Sequence, residues 1–339
     1  DILVDLCELA LAKREQTGLP TWAQIHVIEL PVDVKYKTAE GAREARRVLY
    51  TDTDRIMIEV LKAVEAGEKF LLATDSTNFA EQLLLQLRDR WPEKKWLYVS
   101  QDTKPDEEVI AFTDAPNQKA KLYDGLIYSP AISSGVSIEE KHFTRHFGSF
   151  CGQVVPADAI QMLRRDRTAT EFVVGLNKLP GVREENAENI RRGFLQALLE
   201  TAEINEEFTD AVLDGDRLSL GLADTTYVRM NFTVAAMEAA ARNDFANNLI
   251  CILYADGYNV SHLAADEDAS SLGKELRKAS KERVWDMTVL RHTEAETPTD
   301  EERDELLAKR SLSEEEQAQL ARWDIENELK LDVDPLSLK

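Results

Sequence analysis

The stretch QMLRRDR sets three guanidinium groups, Arg164, Arg165 and Arg167, close behind Gln161. Guanidinium groups stay charged at any physiological pH and grip phosphate oxygens in pairs, so they suit the charge that builds on a transferring phosphoryl group. An arginine finger of this kind contributes roughly 10³ to 10⁵ in rate. Taken alone, an RRxR is more simply explained as a solvated basic helix face. The residues upstream tip the balance: Ser129, then Ser133, Ser134, Gly135 and Ser137, follow directly from the apolar run Leu126 to Tyr128. Gly135 allows close backbone approach, and the hydroxyls and amides around it can hold a phosphate or a sugar-phosphate backbone. A third polar group, Thr74, Asp75 and Ser76, closes the apolar run FLLAT.

The elements that must carry these groups follow from the pattern. Met57, Val60, Leu61 and Val64 fall on one helical face, with Gly67 at the capping position. Phe70 to Thr74 reads as a buried strand, and Ser76 can cap a helix whose Phe79, Leu83, Leu87 and Trp91 form an apolar stripe. Trp96 to Ser100, Leu126 to Tyr128, Phe143 to Phe150 and Phe172 to Leu176 are further strands, and Pro156 opens the helix expected to carry Gln161, Arg164, Arg165 and Arg167. Strand and helix alternate as in a parallel sheet with right-handed crossovers, whose edges are where such folds bind phosphates. Residues 1–50 read as the end of a preceding domain or a connector, with a short strand at Ile25 to Leu30. Residues 51–178 read as the sheet domain and 179–339 as a helical accessory domain, the break falling at Asn177 to Val182. In this last region Ala187 to Ile204, Phe208 to Leu213, Thr225 to Arg242, Phe245 to Asp256 and Ser270 to Leu290 read as helices. Thr299 with Glu302, and Ser313 with Glu316, form capping-box signatures.

YSPAISSGVSI followed by QMLRRDR resembles motifs V and VI of superfamily 2 helicases, specifically the replication helicases of the herpesvirus origin-binding type and the primase-helicase plasmid replication proteins of cyanobacteria. FLLATDSTNFAEQLLLQL is similar to motif IV, which begins the second RecA-like domain of that family. The resemblance spans residues 70–176 and is loose on either side. It implies an α/β, RecA-like parallel sheet domain followed by an all-α accessory domain. It also implies Arg165 as the finger on the γ-phosphate, Arg167 as the next arginine of the pattern, and Gln161 as the monitor of the nucleotide. Gly135 and Ser137 would couple the nucleotide cleft to the nucleic acid, with Arg164 beside the cofactor. Thr74, Asp75, Ser76, Ser129, Ser133 and Ser134 would face the strand. The implied cofactors are ATP and Mg²⁺, bound mainly by a domain outside this chain; the implied partners are single-stranded DNA and an upstream helicase or primase domain.

The departures from the pattern are specific. No GxxxxGK[ST] loop exists, since Gly273-Lys274 is followed by Glu275 inside a charged run, and no DExH-type box appears. The chain by itself is therefore expected not to hydrolyse ATP. A non-catalytic origin-binding or replication-scaffold module of the same fold is the alternative, and a small-molecule α/β enzyme a third. The chain opens at Asp1 already in helical rhythm and reads as a fragment of something longer.

A formal net charge of −22 opposes nucleic-acid binding by the molecule as a whole, so contact with DNA requires a local basic patch, expected near Lys104, Lys119, Lys121 and Lys141. Cys7, Cys151 and Cys251 are scattered, which points to reduced thiols in a cytoplasmic protein. His142 and His146 lie four apart in a strand-like segment, a spacing that does not converge on a metal, and none is expected. No apolar run is long enough to span a membrane.

Overall fold

The computed structural model describes residues 2–18, 37–38, 41–42, 46–132, 136–177, 179–201, 209–214, 217–222, 225–309 and 312–333. The chain divides into two compact units, one of residues 1–43 with 179–245 and the other of residues 44–178 with 246–339.

The second unit is built on a seven-stranded sheet. Its strands are β1 (Arg47–Thr51), β2 (Phe70–Thr74), β3 (Trp96–Val99), β4 (Gly125–Tyr128), β5 (Arg145–Phe150), β6 (Glu171–Leu176) and β7 (Asn259–His262). They lie in the order β7-β1-β6-β5-β2-β4-β3, and every neighbouring pair is parallel. All five residues of β2 are buried, as a central parallel strand covered on both faces requires. The α/β reading holds: this is a parallel-sheet domain of RecA-like type accompanied by a helical region.

One face of the sheet carries α1 (Thr53–Glu65), α2 (Thr77–Arg90) and the long α6 (Glu267–Glu294). Ile56, Met57, Val60, Phe79, Leu83 and Leu87 close over Phe70, Leu72, Ile127 and Phe147 there. The caps follow the sequence: Asp52 accepts from Arg55 N at 2.8 Å, and Ser76 from Phe79 N at 3.2 Å. Helix α6 is tied to this layer by polar contacts. Arg277 Nη1 donates to Asp54 Oδ1 at 2.6 Å, Ser270 Oγ donates to Asp52 Oδ2 at 2.8 Å, and Gln86 Nε2 donates to the buried Ser280 hydroxyl at 2.9 Å.

Gly273 lets α6 approach α1 closely, since a Cβ there would stand 2.1 Å from the Asp54 carbonyl oxygen. That neighbour is backbone and cannot swing aside. Gly273→Ala is accordingly expected to cost about 1–3 kcal/mol, read as a lowered urea midpoint. An unchanged midpoint would show that α6 can slide away freely.

The other face carries α4 (Pro156–Leu163). The run VIAFT forms α3 (Glu107–Asp114), with Val109 and Phe112 buried. Beyond it come α5 (Phe245–Ala255), α7 (Asp300–Leu307) and α8 (Glu314–Asn327). Both expected capping boxes are complete, Thr299 with Glu302 and Ser313 with Glu316.

In the first unit, helices Ala187–Thr201 and Thr226–Asn243 pack together around Val228 and Phe232, with the Phe194 and Phe232 rings 5.6 Å apart. Asn243 fastens the incoming chain, its Oδ1 accepting from Arg183 N at 2.9 Å and its Nδ2 donating to Arg183 O at 2.8 Å. An antiparallel pair, Thr209–Asp214 with Arg217–Leu222, stands where a helix was expected from Phe208 to Leu213. VLYT, at the end of the stretch read as connector, and NVSH, in the region read as helical, are also strands, because each finds a parallel neighbour in the sheet. The expected strand at Ile25 to Leu30 lies outside the described residues.

Candidate functional site

Helix α4 begins at Pro156, whose fixed φ and missing N–H suit the first helical position. It ends at Leu163, which corrects the expectation that one helix carries all three arginines. Arg164 is the C-cap residue, and the chain from Arg165 to Arg167 runs extended against Ile138 as a parallel bridge. Ile138 N donates to Arg165 O, and Arg167 N donates to Ile138 O, both at 2.8 Å.

Asp166 explains the departure from helix. It is fully buried; His146 Nε2 lies 2.9 Å from its Oδ2, while Thr168 N and Oγ1 donate to its Oδ1 at 2.8 and 2.7 Å. Burial works against the charge of this carboxyl, but the hydrogen bonds from His146 and Thr168 prevail and hold it below the usual carboxylate range. Drawing Asp166 inward leaves its neighbours facing away. Arg165 is half-buried and its Nη1 donates to Val136 O at 3.1 Å, whereas Arg167 is exposed and its Nε donates to Ser137 Oγ at 3.3 Å. Tyr128, the last residue of β4, anchors the turn from below by donating to Met162 O at 2.5 Å. The segment that follows Gly135 and the segment that carries Arg165 and Arg167 are thus hydrogen-bonded to each other through main chain and side chain.

The remaining candidates fall in different places. Gln161 is exposed on α4. Arg164 is committed elsewhere: its Nε donates to Tyr258 Oη at 2.5 Å, its Nη2 meets Asp256 Oδ2 at 3.0 Å, and its guanidinium lies 5.2 Å from the centre of the Tyr258 ring. Thr74, expected to face nucleic acid, is buried with its hydroxyl donating to Ser149 O at 2.8 Å, because the central strand β2 is covered to its last residue. Ser76 serves as the α2 cap, and the buried Ser129 hydroxyl accepts from Ala131 N at 3.2 Å. Ser133, Ser134 and Gly135 lie outside the described residues.

Asp75 acts as a staple between strand ends. Its two carboxylate oxygens accept from Cys151 N and Gln153 N, each at 2.7 Å, so it closes the loop after β5. Asp75→Ala leaves these donors without their charged acceptor and is expected to cost about 2–3 kcal/mol in a urea titration. A loss below half a kilocalorie would mean the loop closes without it. The adjacent Cys151 thiol is pushed up to about 12 by burial and by Asp75, which removes it from nucleophilic chemistry at neutral pH.

Asp75 stands at the end of β5 and Asp166 beside His146 at its start. Of the expected basic patch, Lys104 and Lys141 are exposed, and Lys121 is ion-paired with Glu140.

His146 and Asp166 were not expected as functional residues. Their signal is faint: an acid placed between two arginines, and a histidine beside Phe147 in a strand that also holds Arg145 and Ser149. Among the described residues no group of three or more histidine, cysteine or acidic side chains is placed to hold a metal ion, and no helix is long and apolar enough to cross a membrane.

No family model matches the chain. An uncharacterized protein of Picosynechococcus sp. is 31% identical over 108 residues, which is 30% of this chain and 10% of that protein. The "Putative helicase/primase complex protein" of African swine fever virus is 32% identical over 109 residues in the isolate Tick/Malawi/Lil 20-1/1983, covering 32% of this chain and 10% of the viral protein. In the isolate Warthog/Namibia/Wart80/1980 the protein of the same name is 26% identical over 140 residues, 41% of this chain and 13% of the relative. The chain matches about a tenth of the length of these curated relatives.

Proposed function

We propose that this chain is the second motor lobe, with accessory elements, of an ATP-dependent replication helicase of superfamily 2. The observation that carries the reading is the pairing of Val136 to Ile138 with Arg165 to Arg167, an isolated parallel bridge in a domain built on a parallel sheet. It brings the Ser137 hydroxyl and a pair of guanidinium groups together, as motifs V and VI of such a motor require. The viral relatives named as helicase/primase complex proteins support a replication role and an association with other replication components.

ATP with Mg²⁺ would supply a terminal phosphate that gains negative charge as it transfers, and a neighbouring lobe would hold it. Arg167, exposed and restrained by Ser137, and Arg165, half-buried and restrained by Val136, fit the task of meeting that charge without reorganising. Opening and closing of the two lobes would then move a DNA strand, preferably single, past the turns after β2 and β4.

The direct test uses the longer protein that contains this chain. Nucleic-acid-stimulated ATP hydrolysis and strand separation are expected. ATP turnover that DNA does not alter would overturn the motor reading.

A further inference from the structure

The two arginines of the turn work as a pair only if both leave the chain on the same side, and the residue between them sets that side. Asp166 is fully buried, whereas Arg165 is half-buried and Arg167 exposed. Side chains alternate along a bridged, strand-like segment, so turning residue 166 inward turns 165 and 167 outward together. Both guanidinium groups accordingly meet the Val136 to Ser137 segment. Had α4 continued through these residues, Arg165 and Arg167 would stand about 200° apart around its axis, and the pair would be split.

What holds Asp166 inward therefore decides how the arginines are presented. Thr168 N and Oγ1 donate to its Oδ1 at 2.8 and 2.7 Å, but this is a contact within the turn, of the kind that Asp makes with residues just ahead of it in many loops. The contact from outside is His146, 20 residues earlier, whose Nε2 lies 2.9 Å from Oδ2. An ionised carboxylate only accepts hydrogen bonds, so this Nε2 carries the proton and donates it. His146 is itself fixed. It is buried on β5, the central strand of the sheet, in register with Leu71 of β2, and its ring meets the Phe172 ring of β6 edge-on at 5.9 Å. The ties of Met162 to Tyr128 and of Arg164 to Asp256 and Tyr258 act on residues before the bridge and leave its phase unset.

We infer that His146 is a positioning residue for the arginine pair: through Asp166 it locks residues 165–167 against the central strand in the one phase that presents Arg165 and Arg167 together. What the arginines then meet rests on the motor reading proposed above; the lock itself does not.

Two measurements keep these apart. In the 339-residue chain, hydrogen exchange reads the lock directly, because the amides of Ile138 and Arg167 donate across the bridge. His146→Phe keeps a ring in the strand and removes the donor, and His146→Asn offers an amide too short to reach Asp166, so that a fold lost in one variant leaves the other to be measured. Each is expected to speed exchange at Ile138 and Arg167 about tenfold or more while the amides of β2 keep their protection, and His146→Gln, whose amide nitrogen can take the place of Nε2, should restore most of the difference. In the longer protein, His146→Asn should lower kcat for DNA-stimulated ATP turnover about tenfold or more, with KM for ATP within about twofold, and His146→Gln should recover it. Unchanged exchange at the two amides would overturn the inference. Faster exchange with unaltered turnover, in a protein that Arg165→Ala inactivates, would confine His146 to folding and overturn its positioning role. Faster exchange in a protein whose turnover Arg165→Ala does not alter would uphold the lock and bring down the motor reading instead.

Discussion

Arg165→Ala in the longer ATP-hydrolysing protein is expected to lower DNA-stimulated turnover by about 10³ to 10⁵, roughly 4–7 kcal/mol of lost transition-state stabilisation, while the affinity for ATP changes little. The asymmetry arises because a guanidinium aimed at a developing charge acts mainly when that charge appears. Arg165 is suited to this by its restraint, with one nitrogen fixed on Val136 O and its main chain bridged to Ile138. Arg164→Ala supplies the internal comparison. Its side chain is spent on Asp256 and Tyr258, so its loss should lower the unfolding midpoint and leave turnover within a few-fold. A drop of less than tenfold for Arg165→Ala, measured with saturating ATP and DNA, would remove this residue from the phosphate.

Asp166→Ala is expected to be the most destabilising single substitution in the arginine turn, by about 3–5 kcal/mol, since it removes a fully buried charge from donors on His146 and Thr168. The pH dependence carries a sign. The folded-state pKa of Asp166 lies below its unfolded value, so its contribution is fully present above the unfolded pKa, near the ordinary 3.8, and fades as pH falls through the folded value. Acid titration of Asp166→Asn should accordingly lack part of the stability loss that the parent chain shows below about pH 4. Equal acid sensitivity of the two proteins would mean the carboxylate is not held in its charged form. The two experiments separate chemistry from scaffolding, because Asp166→Asn perturbs the platform and Arg165→Ala the group that stands on it.

Much of the sheet is legible from local pattern. FLLAT and FVVGL are continuous apolar runs because both strands are covered on both faces, and Pro156 and Ser76 mark helix starts by chemistry that does not depend on the rest of the chain. VLYT and NVSH are different. They are short, and NVSH is polar, so what makes them strands is a neighbour supplied by chain more than 80 residues away. The site divides in the same way. Three arginines are visible as a cluster, but which of them is available depends on Asp256 and Tyr258, more than 90 residues downstream of Arg164. Thr74 looks like the polar end of a strand, and only the carbonyl of Ser149 shows that its hydroxyl is already used. The helix reading of QMLRRDR fails at Asp166 for a related reason: the pull of a buried histidine outweighs the helical preference of seven residues, and no periodicity records it.

The strand Asn259–His262 closes one border of the sheet next to Arg47–Thr51, and α6 packs over α1 and α2. The order of synthesis then matters. A ribosome releases six strands and the whole arginine turn long before it makes the last strand and its covering helix, so the nascent product carries a bare margin and an oily flank for the time needed to translate the intervening segment. Chains halted or trimmed near Lys178 should clump, and restoring residues 246–333 as a separate polypeptide should rescue them by filling the vacant border.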